Sequence, residues 1–231
     1  MRILTIGDIH GCLRAFDALL ELVRPQPSDL VVTLGDYIDR GPHSALVLDR
    51  LIALRDQCRH VALIGNHDLM MMQAHGSAEA FDDWVGCGGR YTLESYDAEQ
   101  RWDGFARSVP ERHWTFLADR CVSYYEVDTH FFVHANVYPD YPLDEQPDYM
   151  LLWEKLDAET SRPHESGKVM ICGHTSQRNG VPLNLGHAVC IDTRVFADGW
   201  LTCLDVRTSK YWQANQHGET RSGWLDSQAQ R

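Results

Sequence analysis

Apolar positions fall into two rhythms along this chain. Residues 2–6, 30–34 and 60–64 are short, β-branched runs that read as buried strands. Between them Leu13, Phe16, Leu19, Leu20 and Val23 recur at helical spacing until Pro25 and Pro27 stop them. Val47, Leu48, Leu51, Ile52 and Leu54 form a second helical face, with Ser44 placed to cap it. Strand–helix alternation predicts parallel pairing with right-handed crossovers, and sites on such sheets lie beyond the carboxyl ends of the strands. From about 70 to 118 the pattern becomes helical and irregular, a lid-like insertion holding Trp84, Trp102 and Trp114 and the glycines Gly86, Gly88 and Gly89. Strand patterns resume at 121–127, 130–134, 168–172, 188–191, 201–206 and 211–213, spaced as in hairpins. Residues 219–231 read as a polar tail. The expectation is an α/β chain with one domain over 1–218.

Bulk composition narrows the function. The chain has 231 residues, 44% of them hydrophobic, enough for a sizeable core. Lys and Arg number 21 against 33 Asp and Glu, a net charge of −12, so no nucleic-acid partner is expected. A phosphorylated substrate stays open, because bound cations invert local charge. Seven cysteines without Cys-x-x-Cys spacing read as reduced core residues. No apolar run reaches the ~18 residues of a membrane span. With the first strand starting near residue 2, the expectation is a soluble cytoplasmic protein without membrane partners.

One junction repeats. Leu4-Thr5-Ile6-Gly7-Asp8, Val32-Thr33-Leu34-Gly35-Asp36, Ala62-Leu63-Ile64-Gly65-Asn66 and Met170-Ile171-Cys172-Gly173-His174 each end an apolar run with glycine and a metal-ligand type of residue. Phe131-Phe132-Val133-His134 lacks only the glycine. With His10, these give the candidate ligands Asp8, His10, Asp36, Asn66, His134 and His174. Their mix of carboxylate, amide and imidazole suits Mn²⁺, Fe or Zn²⁺. Two ions about 3.5–4 Å apart need a shared ligand, and central Asp36 is the choice.

The blocks Gly7-Asp8-Ile9-His10-Gly11, Gly35-Asp36-Tyr37-Ile38-Asp39-Arg40-Gly41-Pro42, Gly65-Asn66-His67-Asp68, His134-Ala135 and Gly173-His174-Thr175 resemble those of the calcineurin-like metallophosphoesterases. More narrowly they resemble the bacterial and phage phosphoprotein phosphatases, and Trp84 and Gly88 to Tyr96 share that likeness. The resemblance implies a four-layer fold, a central two-sheet β-sandwich flanked by helices. It implies one metal on Asp8, His10 and Asp36 and another on Asp36, Asn66, His134 and His174, with Mn²⁺ the first choice. It implies a phosphomonoesterase that hydrolyses phosphoserine and phosphothreonine by direct attack of metal-bridging hydroxide. Arg40, with Asn66 and Lys155, would bind phosphate; His67 would protonate the leaving group with Asp39 orienting it. The partner is a phosphorylated protein or a small phosphoester. Alternatives are a diadenosine tetraphosphate hydrolase, which Asp39 argues against, and a catalytically silent phosphoprotein-binding module.

Two departures from the family stand out. Trp153-Glu154-Lys155 puts lysine where relatives often carry a phosphate-binding arginine, and lysine cannot bind bidentately. Ile191-Asp192-Thr193-Arg194 puts arginine where relatives carry glycine, which suggests a different backbone there. Arg194 either approaches the site and supplements Lys155 or faces solvent; the sequence favours solvent.

Overall fold

The computed structural model describes residues 1–226. In chain order the first half runs β1 (Ile3–Ile6), α1 (Leu13–Val23), β2 (Leu30–Thr33), α2 (Ser44–Leu54), β3 (Arg59–Leu63) and α3 (Asn66–Ala74). Short helices follow: α4 (Ala78–Trp84), α5 (Arg90–Ser95), α6 (Trp102–Ser108) and α7 (Glu111–Thr115). The second half is β4 (Cys121–Val122), β5 (Tyr124–Glu126), β6 (His130–Val133), α8 (Asp148–Leu152), β7 (Val169–Cys172), β8 (Leu183–Asn184), β9 (Ala188–Cys190), β10 (Asp192–Thr193), β11 (Trp200–Asp205), β12 (Lys210–Ala214) and β13 (Thr220–Trp224).

These strands make two mixed sheets. The first has the order β13-β12-β11-β1-β2-β3-β4, with β10 joined to β11; the second is β5-β6-β7-β9-β8. Strands β1, β2 and β3 pair in parallel, as do β6, β7 and β9, so two sets of carboxyl ends meet at one rim.

Alternating side chains build three cores from two sheets. Ile3, Leu30, Val32 and Leu204 of the first sheet face Phe132, Ile171 and Val189 of the second across the sandwich. Their neighbours Leu4, Val31 and Cys203 point outward under Phe16, Leu19, Val47 and Leu51 of α1 and α2. Phe131, Val133 and Met170 cover the opposite outer face with Leu151 and Leu152 of α8. Each fully buried Leu or Phe contributes about 1.5–3 kcal/mol, so this layering stabilises the rim that carries the loops. Helices, two sheets and helices form the four layers expected from the motifs.

Several local expectations need correction. The run at 121–127 is two strands, β4 in the first sheet and β5 in the second, because the chain crosses the sandwich at Ser123. The polar segment after 219 includes β13, which pairs with β12 from Thr220 to Trp224 despite its polarity, since an edge strand needs only one apolar face. The rest of that expected tail, 227–231, lies outside the described residues. Ser44 is not a cap: it opens α2 from inside, fully buried, and its hydroxyl accepts the Asp39 N–H at 3.1 Å. Cys87 is exposed rather than core. His113 is buried between Tyr96 and Asp49, bonded to them at 2.7 and 2.9 Å.

Candidate metal centre

The five strand ends converge. Glycine precedes the ligand residues because the loops cross backbone to backbone. A Cβ on Gly65 would lie 2.2 Å from Asp36 N, and one on Gly173 would lie 2.1 Å from Asp8 Oδ1. Asp68 staples the loops after β2 and β3. It accepts N–H groups from Gly65 at 2.9 Å, Asp36 at 2.8 Å and Tyr37 at 3.1 Å. Of nine non-glycine residues with positive φ among the described residues, His10, Asp36, Asp39, Arg40, His174 and Arg194 are at this rim. Left-handed backbone costs an L-residue about 1–2 kcal/mol, so strain concentrates at the site.

Asp36 is the centre. Its Oδ2 is 3.5 Å from His10 Nε2 and its Oδ1 is 3.5 Å from His134 Nε2. Two groups with metal-ligand spacing share it: His10, Asp36 and His67, and Asp36, His134 and His174. Burial pushes the Asp36 carboxyl up, but His134, His67, His10 and His174 together hold it below the ordinary carboxylate range.

The donor chemistry fits a cation. His10 Nδ1–H donates to Ile38 O at 2.9 Å, and His134 Nδ1–H donates to Leu34 O at 2.8 Å. His174 Nε2–H donates to Trp153 O at 3.0 Å. His134 and His174 thus each keep one lone pair for the centre, while His10 Nε2 accepts from Arg40 Nη1 at 2.8 Å. His134 Nε2 and His174 Nδ1 both stand 3.0 Å from Asn66 Oδ1, so three acceptor atoms converge. Acceptors facing one another repel unless a positive charge lies between them. Burial lowers the pKa of His174 to about 4 and takes His10 well below its ordinary value, keeping both neutral and able to ligate.

Asp8 stands slightly apart. It is buried at the same rim and accepts the His174 N–H at 3.1 Å, but it belongs to neither ligand group. Burial raises its pKa, and the carboxylates of Asp192 and Asp36 raise it further. Asp192, which opens β10, is a site neighbour that sequence reasoning missed; no glycine precedes it to flag the junction.

On the other side, His67 Nδ1–H donates to Asp39 Oδ2 at 2.7 Å. Asp39 also accepts from Trp84 Nε1 at 3.0 Å and from Thr92 Oγ1 at 2.6 Å. Those two donors were invisible as site residues in the sequence. The chain bends at Gly88, φ 123°, and a Cβ on Gly89 would lie 2.5 Å from the Trp84 ring. The glycine cluster therefore seats Trp84 against Asp39, so this tryptophan is more than lid packing. Arg40 Nη2 donates to His67 Nε2 at 2.7 Å and Nη1 to His10 Nε2 at 2.8 Å. Its guanidinium lies 4.5 Å from the centre of the Phe196 ring.

A cavity of about 530 Å³ opens beside Asp36 and Arg40, lined also by Lys155, His174, Arg178, Arg194 and Phe196. Lys155 is exposed on its wall. Arg194 lines it too, half-buried. It holds φ 63°, a left-handed conformation that glycine adopts without strain.

Neutral imidazoles, a shared carboxylate and a guanidinium at the rim of a two-sheet sandwich define a metal-dependent phosphoesterase. The chain belongs to the calcineurin-like phosphoesterases, whose family pattern matches residues 1–196. It is 35% identical over 148 residues to a symmetrical bis(5'-nucleosyl)-tetraphosphatase of Paracidovorax citrulli, covering 62% of this chain and 47% of that one. It is 26% identical over 195 residues to serine/threonine-protein phosphatase 2 of Escherichia coli, covering 84% and 82%. The matched stretches span from 26% to 47% of the first few tetraphosphatase relatives' own length. Among solved structures, the fold of a yeast protein serine/threonine phosphatase matches with a TM-score of 0.59 at 16% identity, covering 100% of this chain and 81% of that one. Among the described residues, no helix is long and apolar enough to cross a membrane.

Proposed function

We propose that this chain hydrolyses phosphoserine and phosphothreonine monoesters in proteins. The observation that carries the reading is the Asp39–His67 pair at 2.7 Å. A serine or threonine alkoxide is a poor leaving group and needs a proton as it departs, whereas a nucleoside diphosphate leaves as a stable anion. A histidine oriented by a buried carboxylate is therefore worth most on an alkyl ester. The phosphatase relative, matched along most of both chains, supports the same choice.

Asp8, His10, Asp36, Asn66, His134 and His174 would hold two divalent ions, with Mn²⁺ proposed and Fe or Zn²⁺ compatible with the same donors. When bound, such ions supply positive charge at the phosphoryl oxygens and make water a stronger acid. Arg40 binds the equatorial oxygens through its planar fork, with Asn66 and Lys155 beside it. Its seat against Phe196 fixes the fork before substrate arrives. Asp39 holds the Nδ1–H of His67, so the doubly protonated imidazolium gives its Nε2 proton to the departing oxygen and is left as the neutral Nδ1–H form. Trp84 and Thr92 hold Asp39 in turn.

The second reading is hydrolysis of dinucleoside tetraphosphates, favoured by the higher local identity to the tetraphosphatase relatives. Parallel assays decide. The Mn²⁺-loaded protein should turn over a phosphoserine peptide, and Asp39→Asn should slow that peptide about 10²-fold or more while slowing an aryl phosphate far less. Release of ADP from diadenosine tetraphosphate, with no peptide turnover, would overturn the proposal in favour of the second reading.

A further inference from the structure

Three cations share the cavity beside Arg40, and among the described residues none of them is paired with a carboxylate. Lys155, Arg178 and Arg194 line it with Asp36 and Arg40. Among the described residues none of the three has a carboxylate oxygen within 4.0 Å. Among the described residues Arg2, Arg50, Arg101, Arg112, Arg162 and Lys168 each pair with a carboxylate and most other cations do not, but these three share one cavity, in a chain of net charge −12. Acidic partners are plentiful, so leaving three like charges on one wall is a local arrangement that costs repulsion until an anion arrives.

Arg194 is also held in place. Its N–H donates to Asp192 Oδ1 at 2.9 Å, and it bridges to Trp200 across a tight turn. That turn closes so tightly that a Cβ on Gly199 would lie 2.6 Å from Arg194 O. The position keeps φ 63°, where glycine would sit without strain, and yet carries a long cationic side chain.

We infer that Arg194, with Arg178, forms a second anion site next to the scissile phosphate held by Arg40 and Lys155. The substrates it selects are phosphoesters carrying a second phosphate close to the first. This rests on the phosphoester-hydrolase reading above. The shared chemistry is a second phosphoryl group; its source is either a neighbouring phosphoserine in a peptide or the next phosphate of a dinucleoside polyphosphate.

The test compares wild type, Arg194→Gly and Arg194→Gly/Arg178→Ala. Glycine suits the backbone at 194, so the variants fold, and melting curves check it. The substrates are a singly phosphorylated peptide, the same peptide with a second phosphoserine two residues on, an aryl phosphate and diadenosine tetraphosphate. The readout is the ratio of kcat/KM for each doubly charged substrate to that for a singly phosphorylated one. Wild type should prefer at least one substrate with a second phosphate by about tenfold, through KM, and Arg194→Gly should erase most of that preference. Whether the preference appears on the peptide or on the dinucleotide identifies the source of the second phosphate. A wild-type ratio near one on both, or a ratio unmoved by the variants, overturns the second anion site and leaves the phosphatase proposal standing. No turnover of any substrate overturns both.

Discussion

On one side of Asp36 stand His10 and His67, carried by the loops after β1 and β3; on the other stand His134 and His174, carried by the loops after β6 and β7. The first side is crowded with donors. Arg40 touches both rings, and Asp39, Trp84 and Thr92 form a buried relay behind His67. The second side has almost none: backbone carbonyls take the ring protons, and the remaining lone pairs face Asn66 Oδ1. One side is arranged to move protons and grip an anion as well as to lend His10 to a cation, the other to hold a cation alone. The rim places these two kinds of chemistry on different sheets, and Asp36 joins them.

Breaking the junction should have the largest effect. Asp36→Asn removes the shared charge from both ligand groups and should lower turnover of any phosphoester by on the order of 10³-fold. Metal content by atomic absorption should fall together on both sides. Loss of one ion with the other fully retained would show that Asp36 serves one side alone.

A smaller effect separates the donor-rich side from the other. Trp84→Phe removes one N–H from the Asp39 carboxylate without touching any ligand. A hydrogen bond to a charged group is worth about 1.5–3 kcal/mol, so turnover of a phosphoserine peptide should drop about tenfold. An aryl phosphate, whose leaving group needs less help, should lose less, and metal content should stay at the wild-type level. Equal losses on both substrates would mean that Trp84 supports the fold rather than the proton relay.

The two sides also differed in how far the sequence revealed them. Ligand positions were legible because strand, glycine and ligand follow one another directly, and the glycine is forced by loops that touch at Gly65 and Gly173. The layers were legible from apolar runs, since each strand contributes to a core on both faces. Trp84 and Thr92 were not, because they lie 45 and 53 residues from Asp39 and no periodicity links them. Asp192 lacks the glycine that marks the other junctions. The split of 121–127 between sheets leaves no trace in composition, as both halves suit a strand. Arg194 gave no sign in the sequence of its left-handed backbone, φ 63°, or of its place on the cavity wall.

The acceptor side makes a prediction about acid. Burial, with His134 beside it, holds His174 at about 4, whereas in the unfolded chain a histidine titrates near 6.5. Between those values the unfolded chain takes up a proton that the fold refuses, so stability rises with pH and is lost as pH falls below about 6.5. In chelator-treated protein the melting midpoint should therefore fall as the buffer is taken from pH 7 to pH 4. His174→Asn, which cannot titrate, should fall less over the same range. Because His10 and the carboxylates are common to both proteins, the difference between the two curves isolates His174. Parallel curves would mean that His174 is protonated in the fold, and the side of Asp36 described as waiting for a cation would already carry one.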